Sequence, residues 1–153
     1  MTHEKLFDKE LMMLDANFEN QRILFKEVSK DLLKKGFVTE TYADALNLRE
    51  KEFPTGLETA HCKIAIPHTD VKHVKKPFIY LVKLDEEIVF NNMGDMSQSF
   101  GVKAVLFLGI KEPAEQIKLL SKLMENFIEK SFSDLIFEEK NKNELEIKLN
   151  NFI

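Results

Sequence analysis

His68 stands in the most constrained setting of the chain's four histidines, because it follows an apolar run and a proline in KIAIPHTD, residues 63–70. Alternation along an extended segment places Ile64, Ile66 and His68 on one face. Pro67 fixes its own φ and biases Ile66 towards extended backbone, so the imidazole is aimed with little freedom. Partial burial lowers the pKa of a histidine and keeps it neutral and nucleophilic. His68 is therefore either a nucleophile or an ordinary half-buried histidine that packs and forms a hydrogen bond.

Arg49 continues the apolar stripe of a predicted helix, since Tyr42, Ala45 and Leu46 share its face at helical spacing. We expect this face to be the buried one. A buried guanidinium needs an anionic partner, and its planar, bidentate geometry suits phosphate. The alternative is that the side chain reaches the surface or pairs with a carboxylate such as that of Glu52.

The segment Phe53-Pro54-Thr55-Gly56 separates this helix from the run that ends at His68. Proline, threonine and glycine in this order are typical of a turn. The turn would bring the Thr55 hydroxyl and backbone N–H groups close to any anion that Arg49 binds.

A metal site is the competing chemistry, since His61, His68 and His73 occur close together with Cys62 and Asp70. Their spacings match no compact zinc signature, and two of the histidines fall in predicted loops. There is also no local motif for a Ser-His-Asp or Cys-His nucleophile. We expect neither a metal nor a cofactor.

Composition indicates one globular domain over residues 1–153, with 44% apolar and 31% charged residues. A net charge of −4 argues against a nucleic-acid partner. Apolar stretches such as 104–110 are too short to insert in a membrane, and the N-terminal residues lack a signal-peptide pattern. The single cysteine suits a reducing compartment. We therefore expect a cytoplasmic protein.

The elements that position these residues follow from apolar periodicity. Residues 11–18 fit a first strand, or else a short helix. A helix capped by Asn20 is expected to run to about Lys35 and to stop at Gly36. A second helix, with Thr41 and Asp44 as its capping box, is expected to end near residue 52.

The second half of the chain alternates between β-rich and helical patterns. Residues 78–84, 88–90 and 102–108 are predicted strands. Pro113 begins a helix whose apolar stripe comprises Ile117, Leu120, Met124, Phe127 and Ile128. Ser133 and Asn141 are the expected caps of two closing helices. This order of elements predicts an α/β fold.

The combination of REKEFPTG (49–56) and KIAIPHTD (63–70) resembles the IIA proteins of the bacterial phosphoenolpyruvate-dependent sugar phosphotransferase system, in the mannitol–fructose family. The Phe-Pro-Thr-Gly form and the segment VKHVKKPFIYLV (71–82) are most similar to the galactitol-specific members. The resemblance implies one EIIA type-2 domain, built as a three-layer α/β/α sandwich around a mixed sheet of four to five strands.

The resemblance also implies a reaction. His68 would accept a phosphoryl group from phospho-HPr and pass it to a cysteine of the IIB component, for uptake of a sugar, galactitol, through the membrane component IIC. Arg49 would hold the phosphoryl oxygens, and Thr55 matches the threonine of the family's turn. Apolar Ile64, Ile66 and Pro67 would exclude water and offer the partners a docking patch.

One position departs from the mannitol-type pattern, in which a second histidine follows a glutamate on the helix that begins here at Pro113. The matching pair is Glu115-Gln116, as in galactitol-like proteins. Gln116 can donate a hydrogen bond but supplies no charge. His61 is the alternative stand-in for that histidine.

Two other functions stay open on the sequence alone. The first is a regulatory module whose phosphorylation state is read by another protein. The second is a metal-dependent hydrolase that uses His61, His68 and His73.

Overall fold

A mixed five-stranded sheet is the centre of the computed structural model, which describes residues 5–153. Its strands are β1 (Phe7–Ala16), β2 (Gly56–Glu58), β3 (Lys63–Ala65), β4 (Phe78–Asn91) and β5 (Ser99–Gly109). Their order in the sheet is β1-β4-β5-β3-β2. The β1/β4 and β3/β5 pairs are parallel, whereas β4/β5 and β2/β3 are antiparallel. The described residues thus form a mixed α/β domain.

Helices cover both faces of this sheet, in the order α1 (Gln21–Lys34), α2 (Tyr42–Glu52), α3 (Pro113–Ile128), α4 (Lys130–Glu138) and α5 (Lys142–Asn150). The buried side chains of α1 and α2 belong to one apolar core, and those of α3, α4 and α5 belong to a second. Strand β3 contributes to both cores, since Ala65 lies in the first and Ile64 in the second. The three-layer α/β/α sandwich is therefore confirmed.

The first half of the chain largely matches its sequence pattern. Residues 11–18 were expected to form a strand or a short helix, and strand β1 covers most of them. The Asn20 side chain accepts a hydrogen bond from the backbone N–H of Ile23 at 3.0 Å and caps α1. Gly36 ends this helix with φ of +83°, a conformation that glycine adopts without steric cost.

The predicted capping box of α2 is wrong, although the bounds of the helix agree. Thr41 itself has helical backbone angles and makes no capping bond. Its hydroxyl instead contacts the Thr39 hydroxyl at 2.7 Å and Nδ1 of His73 at 2.8 Å. Competition from these side chains leaves no hydroxyl for the helix N-terminus.

Two predicted strands, 78–84 and 88–90, form the single strand β4. Its pairing with β5 is irregular only between Lys83 and Ile88. Between the pairs Lys83–Ala104 and Ile88–Val102, β4 contains three more residues than β5, so the apolar pattern breaks there although the strand continues.

The predicted apolar stripe of α3 is partly wrong. Ile117 and Ile128 are exposed, while Leu119, Leu123 and Phe127 are buried. Spacings of three and four residues fit either set, so periodicity alone did not choose between adjacent faces of this apolar helix.

Only one of the two predicted N-caps of the closing helices is found. The Asn141 side chain accepts the backbone N–H of Glu144 at 3.0 Å and caps α5. Ser133 lies inside α4 and is buried, because the helix begins earlier, after Glu129. Within residues 5–153 no helix has both the length and the apolar character needed to cross a membrane.

Candidate active site

The backbone remains extended from β3 to His68, past the end of the assigned strand. Ile64 pairs with Ala104, and His68 forms a bridge with Leu108, so both pairs keep the same offset along β5. Between them, the Pro67 carbonyl accepts the N–H of Leu108 at 3.0 Å. Pro67 lacks an N–H, but its carbonyl continues the parallel pairing and holds His68 at the end of a buried strand.

One ring nitrogen of His68 forms a hydrogen bond with the backbone, and the other carries the free lone pair. Nδ1 lies 2.8 Å from the carbonyl oxygen of Ile66. A carbonyl oxygen only accepts, so Nδ1 carries the hydrogen and donates it. In the neutral ring Nε2 is then the basic nitrogen. This geometry makes Nε2 the candidate nucleophile.

The surroundings of His68 favour its neutral form. Burial lowers the pKa of the imidazole below its ordinary value, and the positive charge of Arg49 lowers it further. The hydrogen bond to Ile66 acts in the opposite direction. The net effect keeps the lone pair of Nε2 available at neutral pH.

Arg49 lies in the last turn of α2 and is half-buried, with 38% of its side chain exposed. Its Nη1 lies 3.7 Å from Oδ1 of Asp70, and its guanidinium carbon lies 4.6 Å from the centre of the Phe53 ring. Nε is buried and has no hydrogen-bond partner among the described residues. The suggested pairing with Glu52 is thus replaced by a loose contact with Asp70, which an incoming anion could displace.

The expectation that Arg49 lies on the buried face of α2 is only partly correct, because Tyr42 and Leu46 are buried whereas Ala45 and Arg49 lie half-buried at the margin of that face. The buried residues of this helix are Tyr42, Leu46 and Glu50, at intervals of four. Sequence reasoning missed Glu50, although its spacing from Tyr42 and Leu46 was a signal that could have identified it. The buried ionisable side chain of α2 is therefore Glu50 rather than Arg49.

Glu50 joins the end of α2 to the turn that follows. Its Oε2 accepts the backbone N–H of Thr55 at 2.8 Å, and its Oε1 accepts the Thr55 hydroxyl at 2.7 Å. Burial raises the pKa of Glu50 to about 7, and the bonds from Thr55 oppose this rise. Both donors of Thr55 are therefore directed at Glu50.

The turn containing Thr55 leads directly into β2. The side chain of Thr55 is buried, and its carbonyl accepts the N–H of Ile66 at 3.2 Å. Gly56 follows, and a Cβ atom there would lie 2.5 Å from the Asn91 carbonyl oxygen. Only glycine permits this close approach, which fixes the turn against the end of β4.

Gln116 reaches the backbone beside His68 from the first turn of α3. Its Nε2 donates to the Thr69 carbonyl oxygen at 3.1 Å. Its Oε1 is buried and lacks a partner within the part of the chain that is described. Gln116 therefore lies against the residue that follows His68, and its acceptor oxygen is not used.

His61 is not part of this arrangement. It is exposed, and it precedes β3, whereas His68 follows it. The extended run of residues 63–68 spans roughly 16 Å at about 3.3 Å per residue. His73 is also engaged elsewhere, with Thr41. Across residues 5–153, no group of three or more His, Cys, Asp or Glu side chains could hold a metal ion.

The expected docking patch is wrong, because Ile64, Ile66 and Pro67 are all buried. Exposed apolar side chains instead lie next to the site residues in sequence. Leu48 precedes Arg49, Phe53 packs on it, and Ile117 follows Gln116. Of these three, Phe53 is in contact with a site residue, and all three are large apolar side chains left exposed on α2, on α3 and in the turn after α2.

The chain is similar in sequence to two kinds of known protein. The chain is 34% identical over 104 residues to the galactitol-specific EIIA component of the Escherichia coli phosphotransferase system, which covers 68% of this chain and 69% of that protein. It is 30% identical over 82 residues to the transcriptional regulator ManR of Bacillus subtilis, which covers 54% of this chain and 12% of ManR.

The fold is also similar to a solved structure. The complex of enzyme IIA mannitol with phosphorylated enzyme IIB mannitol from E. coli aligns with a TM-score of 0.72 at 21% identity, covering 91% of this chain and 95% of that one. The sequence model of the family described as phosphoenolpyruvate-dependent sugar phosphotransferase system, EIIA 2, matches residues 5–151. The chain therefore belongs to the EIIA type 2 family of the sugar phosphotransferase system.

Proposed function

We propose that this protein is a phosphohistidine carrier in which Nε2 of His68 accepts a phosphoryl group from phospho-HPr and passes it to a cysteine of a IIB component. The observation that carries the proposal is the bond from Nδ1 of His68 to the Ile66 carbonyl, which leaves Nε2 with the lone pair. The relative that is a galactitol-specific EIIA component supports galactitol as the sugar. The solved complex of a fold neighbour with phosphorylated IIB supports IIB as the acceptor.

In the accepting step, the Nε2 lone pair attacks phosphorus in line with the N–P bond of phospho-HPr. That bond breaks as the new N–P bond forms, and its electron pair returns to the histidine of HPr. The hydrogen stays on Nδ1 throughout and remains hydrogen-bonded to the Ile66 carbonyl. His68 therefore needs no separate base, since its reacting nitrogen is unprotonated before attack.

Arg49 supplies positive charge as the phosphoryl oxygens arrive. Its guanidinium is held by one carboxylate at 3.7 Å and by the face of Phe53. Exchanging Asp70 for phosphoryl oxygens gives it a bidentate partner. One arginine, with Gln116 as a neutral neighbour, holds the phosphohistidine without trapping it.

Onward transfer reverses the geometry of the first step. A thiolate of IIB attacks phosphorus, the N–P bond breaks, and the electron pair returns to Nε2. Water must not compete with the thiolate, and the buried Ile66 and Pro67 exclude it from the inner side of the ring. The exposed Leu48, Phe53 and Ile117 would contact each partner in turn.

The direct test incubates the protein with enzyme I, HPr and phosphoenolpyruvate labelled on phosphorus. We expect stoichiometric labelling of the wild type and of His61→Ala, and none of His68→Ala. Equal labelling of His68→Ala and wild type would overturn the proposal. Label that moves to a IIB protein, but not to its Cys→Ser variant, would establish the second step.

A regulatory module is the second candidate, and the identity to part of a transcriptional regulator favours it. In that case His68 would still be labelled. The label would then fail to reach the IIB cysteine under conditions where the E. coli galactitol-specific EIIA component transfers its own.

A further inference from the structure

An uninterrupted series of hydrogen bonds runs from Glu50 to the ring of His68. Glu50 accepts both donors of Thr55, at 2.8 and 2.7 Å. The Thr55 carbonyl accepts the N–H of Ile66 at 3.2 Å. The Ile66 carbonyl in turn accepts Nδ1–H of His68 at 2.8 Å. Two residues therefore separate the buried carboxylate from the imidazole.

The start of this series lies next to Arg49 on the last turn of α2, which ends at Glu52. The terminal turn of a helix lacks some of its own hydrogen bonds and frays easily. Glu50 attaches that turn to the segment that pairs with β3. The same carboxylate thus connects the helix that carries Arg49 with the strand that carries His68.

A simple packing role does not account for an acid at this position. Glu50 is only 5% exposed and, among residues 5–153, forms no ion pair. Burying a carboxylate without a cation is costly, and an apolar side chain would fill the same space at lower cost. The carboxylate does one thing that such a side chain could not, since it accepts two hydrogen bonds from the same residue.

We infer that Glu50 is a positioning residue for phosphoryl transfer. Through its hydrogen bonds with Thr55, and through Ile66, it keeps Arg49 and His68 at a fixed distance and orientation relative to each other. This inference rests on the proposed function of His68. Glu50 touches no phosphoryl oxygen in this role. Misplacement of reacting groups by about 1 Å can lower a rate about 100-fold. Loss of the hydrogen bonds between Glu50 and Thr55 should therefore lower kcat rather than weaken partner binding.

The test compares Glu50→Gln with wild type, using kcat and KM for phosphoryl transfer from phospho-HPr. The glutamine keeps the shape but turns an amide NH₂ towards one Thr55 donor. We expect kcat to fall about 10- to 100-fold while KM changes less than about twofold. Thr55→Val should lower kcat in the same direction, and Thr55→Ser, which restores the hydroxyl, should recover it.

A second readout reports on His68 without any partner. In ¹⁵N NMR spectra the wild-type ring should show the Nδ1–H tautomer, and Glu50→Gln should shift towards a mixture of tautomers. In the double variant Glu50→Gln/Thr55→Val, the loss of kcat should be no larger than in the more impaired single variant, because both substitutions disrupt the same hydrogen bonds. Thr55→Val removes a single hydroxyl, so it decides the case if Glu50→Gln does not fold.

Unchanged kcat and an unchanged His68 tautomer in folded Glu50→Gln would overturn the inference. Additive losses in the double variant would also overturn it. If the wild type accepts no phosphoryl group at all, the proposed function fails instead. The NMR comparison then still decides whether Glu50 positions His68.

Discussion

At the scale of single residues, the proposed phosphoryl acceptance depends on which nitrogen of His68 carries a free lone pair. The ring could present either nitrogen, and Ile66 settles the choice by accepting Nδ1–H. The sequence indicated a neutral, aimed imidazole, because Pro67 and the apolar run were visible in it. It could not indicate the tautomer, since that depends on where the Ile66 carbonyl points after folding.

The first prediction concerns the pH dependence of His68. Its folded pKa lies below the ordinary 6.5, so the unfolded chain binds more protons between the two values. The contribution of His68 to stability is therefore lost as the pH falls through that window. Since Nε2 reacts only when unprotonated, phosphoryl acceptance should persist below pH 6.5. An NMR titration of His68 checks this, and a midpoint at or above 6.5 would contradict it.

The second prediction concerns Arg49. Arg49→Ala should lower the rate of phosphoryl acceptance about 100- to 1,000-fold, as expected for loss of one donor to developing charge. Stability should change by less than about 1 kcal/mol, because the ion pair with Asp70 is exposed and long. Arg49→Lys, which keeps the charge without the planar fork, should recover only part of the rate. Urea unfolding and transfer kinetics separate the two effects.

At the scale of elements, α2 and α3 each bring one side of the site to the end of β3. The sequence predicted both helices and their approximate bounds. It misjudged which faces are buried, because on both helices two adjacent faces carry residues at helical spacing. Glu50 was missed for that reason, and Ile117 was assigned to the core although it is 66% exposed.

The third prediction uses two residues of α3. Leu123→Ala should lower the free energy of unfolding by about 2–5 kcal/mol, because Leu123 is fully buried in the second core. Ile117→Ala on the same helix should change it by less than about 0.5 kcal/mol. Chemical denaturation measures both. Comparable losses for the two variants would show that the assigned faces of α3 are wrong.

At the scale of the whole molecule, the sheet separates two cores and leaves the site at one end of β3. The α/β class followed from the order of elements in the sequence. The strand order β1-β4-β5-β3-β2 did not, because non-local pairing is not written in local periodicity. The short strand β2 was not predicted either, because it has only three residues and the first of them, Gly56, belongs to the turn motif.

The fourth prediction is a pH dependence of global stability. Glu50 has a folded pKa of about 7 against 4.5 unfolded, so between these values the folded protein keeps a proton that the unfolded chain has released. The free energy of unfolding should therefore fall as the pH rises from about 5 to 8. At about 1.4 kcal/mol for each pH unit between the two pKa values, the effect is at most about 3.5 kcal/mol.

Urea unfolding of wild type and Glu50→Gln at pH 5 and pH 8 measures this contribution by difference. The exposed Glu52→Gln on the same helix turn is the matched control and should keep the wild-type pH dependence. An identical pH dependence in wild type and Glu50→Gln would contradict the assignment.

The most direct measurement of the central claim locates the phosphoryl group itself. The protein is phosphorylated through phospho-HPr and studied at alkaline pH, where phosphohistidine persists, by ³¹P NMR together with mass spectrometry of its peptides. We predict one phosphoryl group, on Nε2 of His68. A group on Nδ1 of His68, or on any other residue, would contradict it.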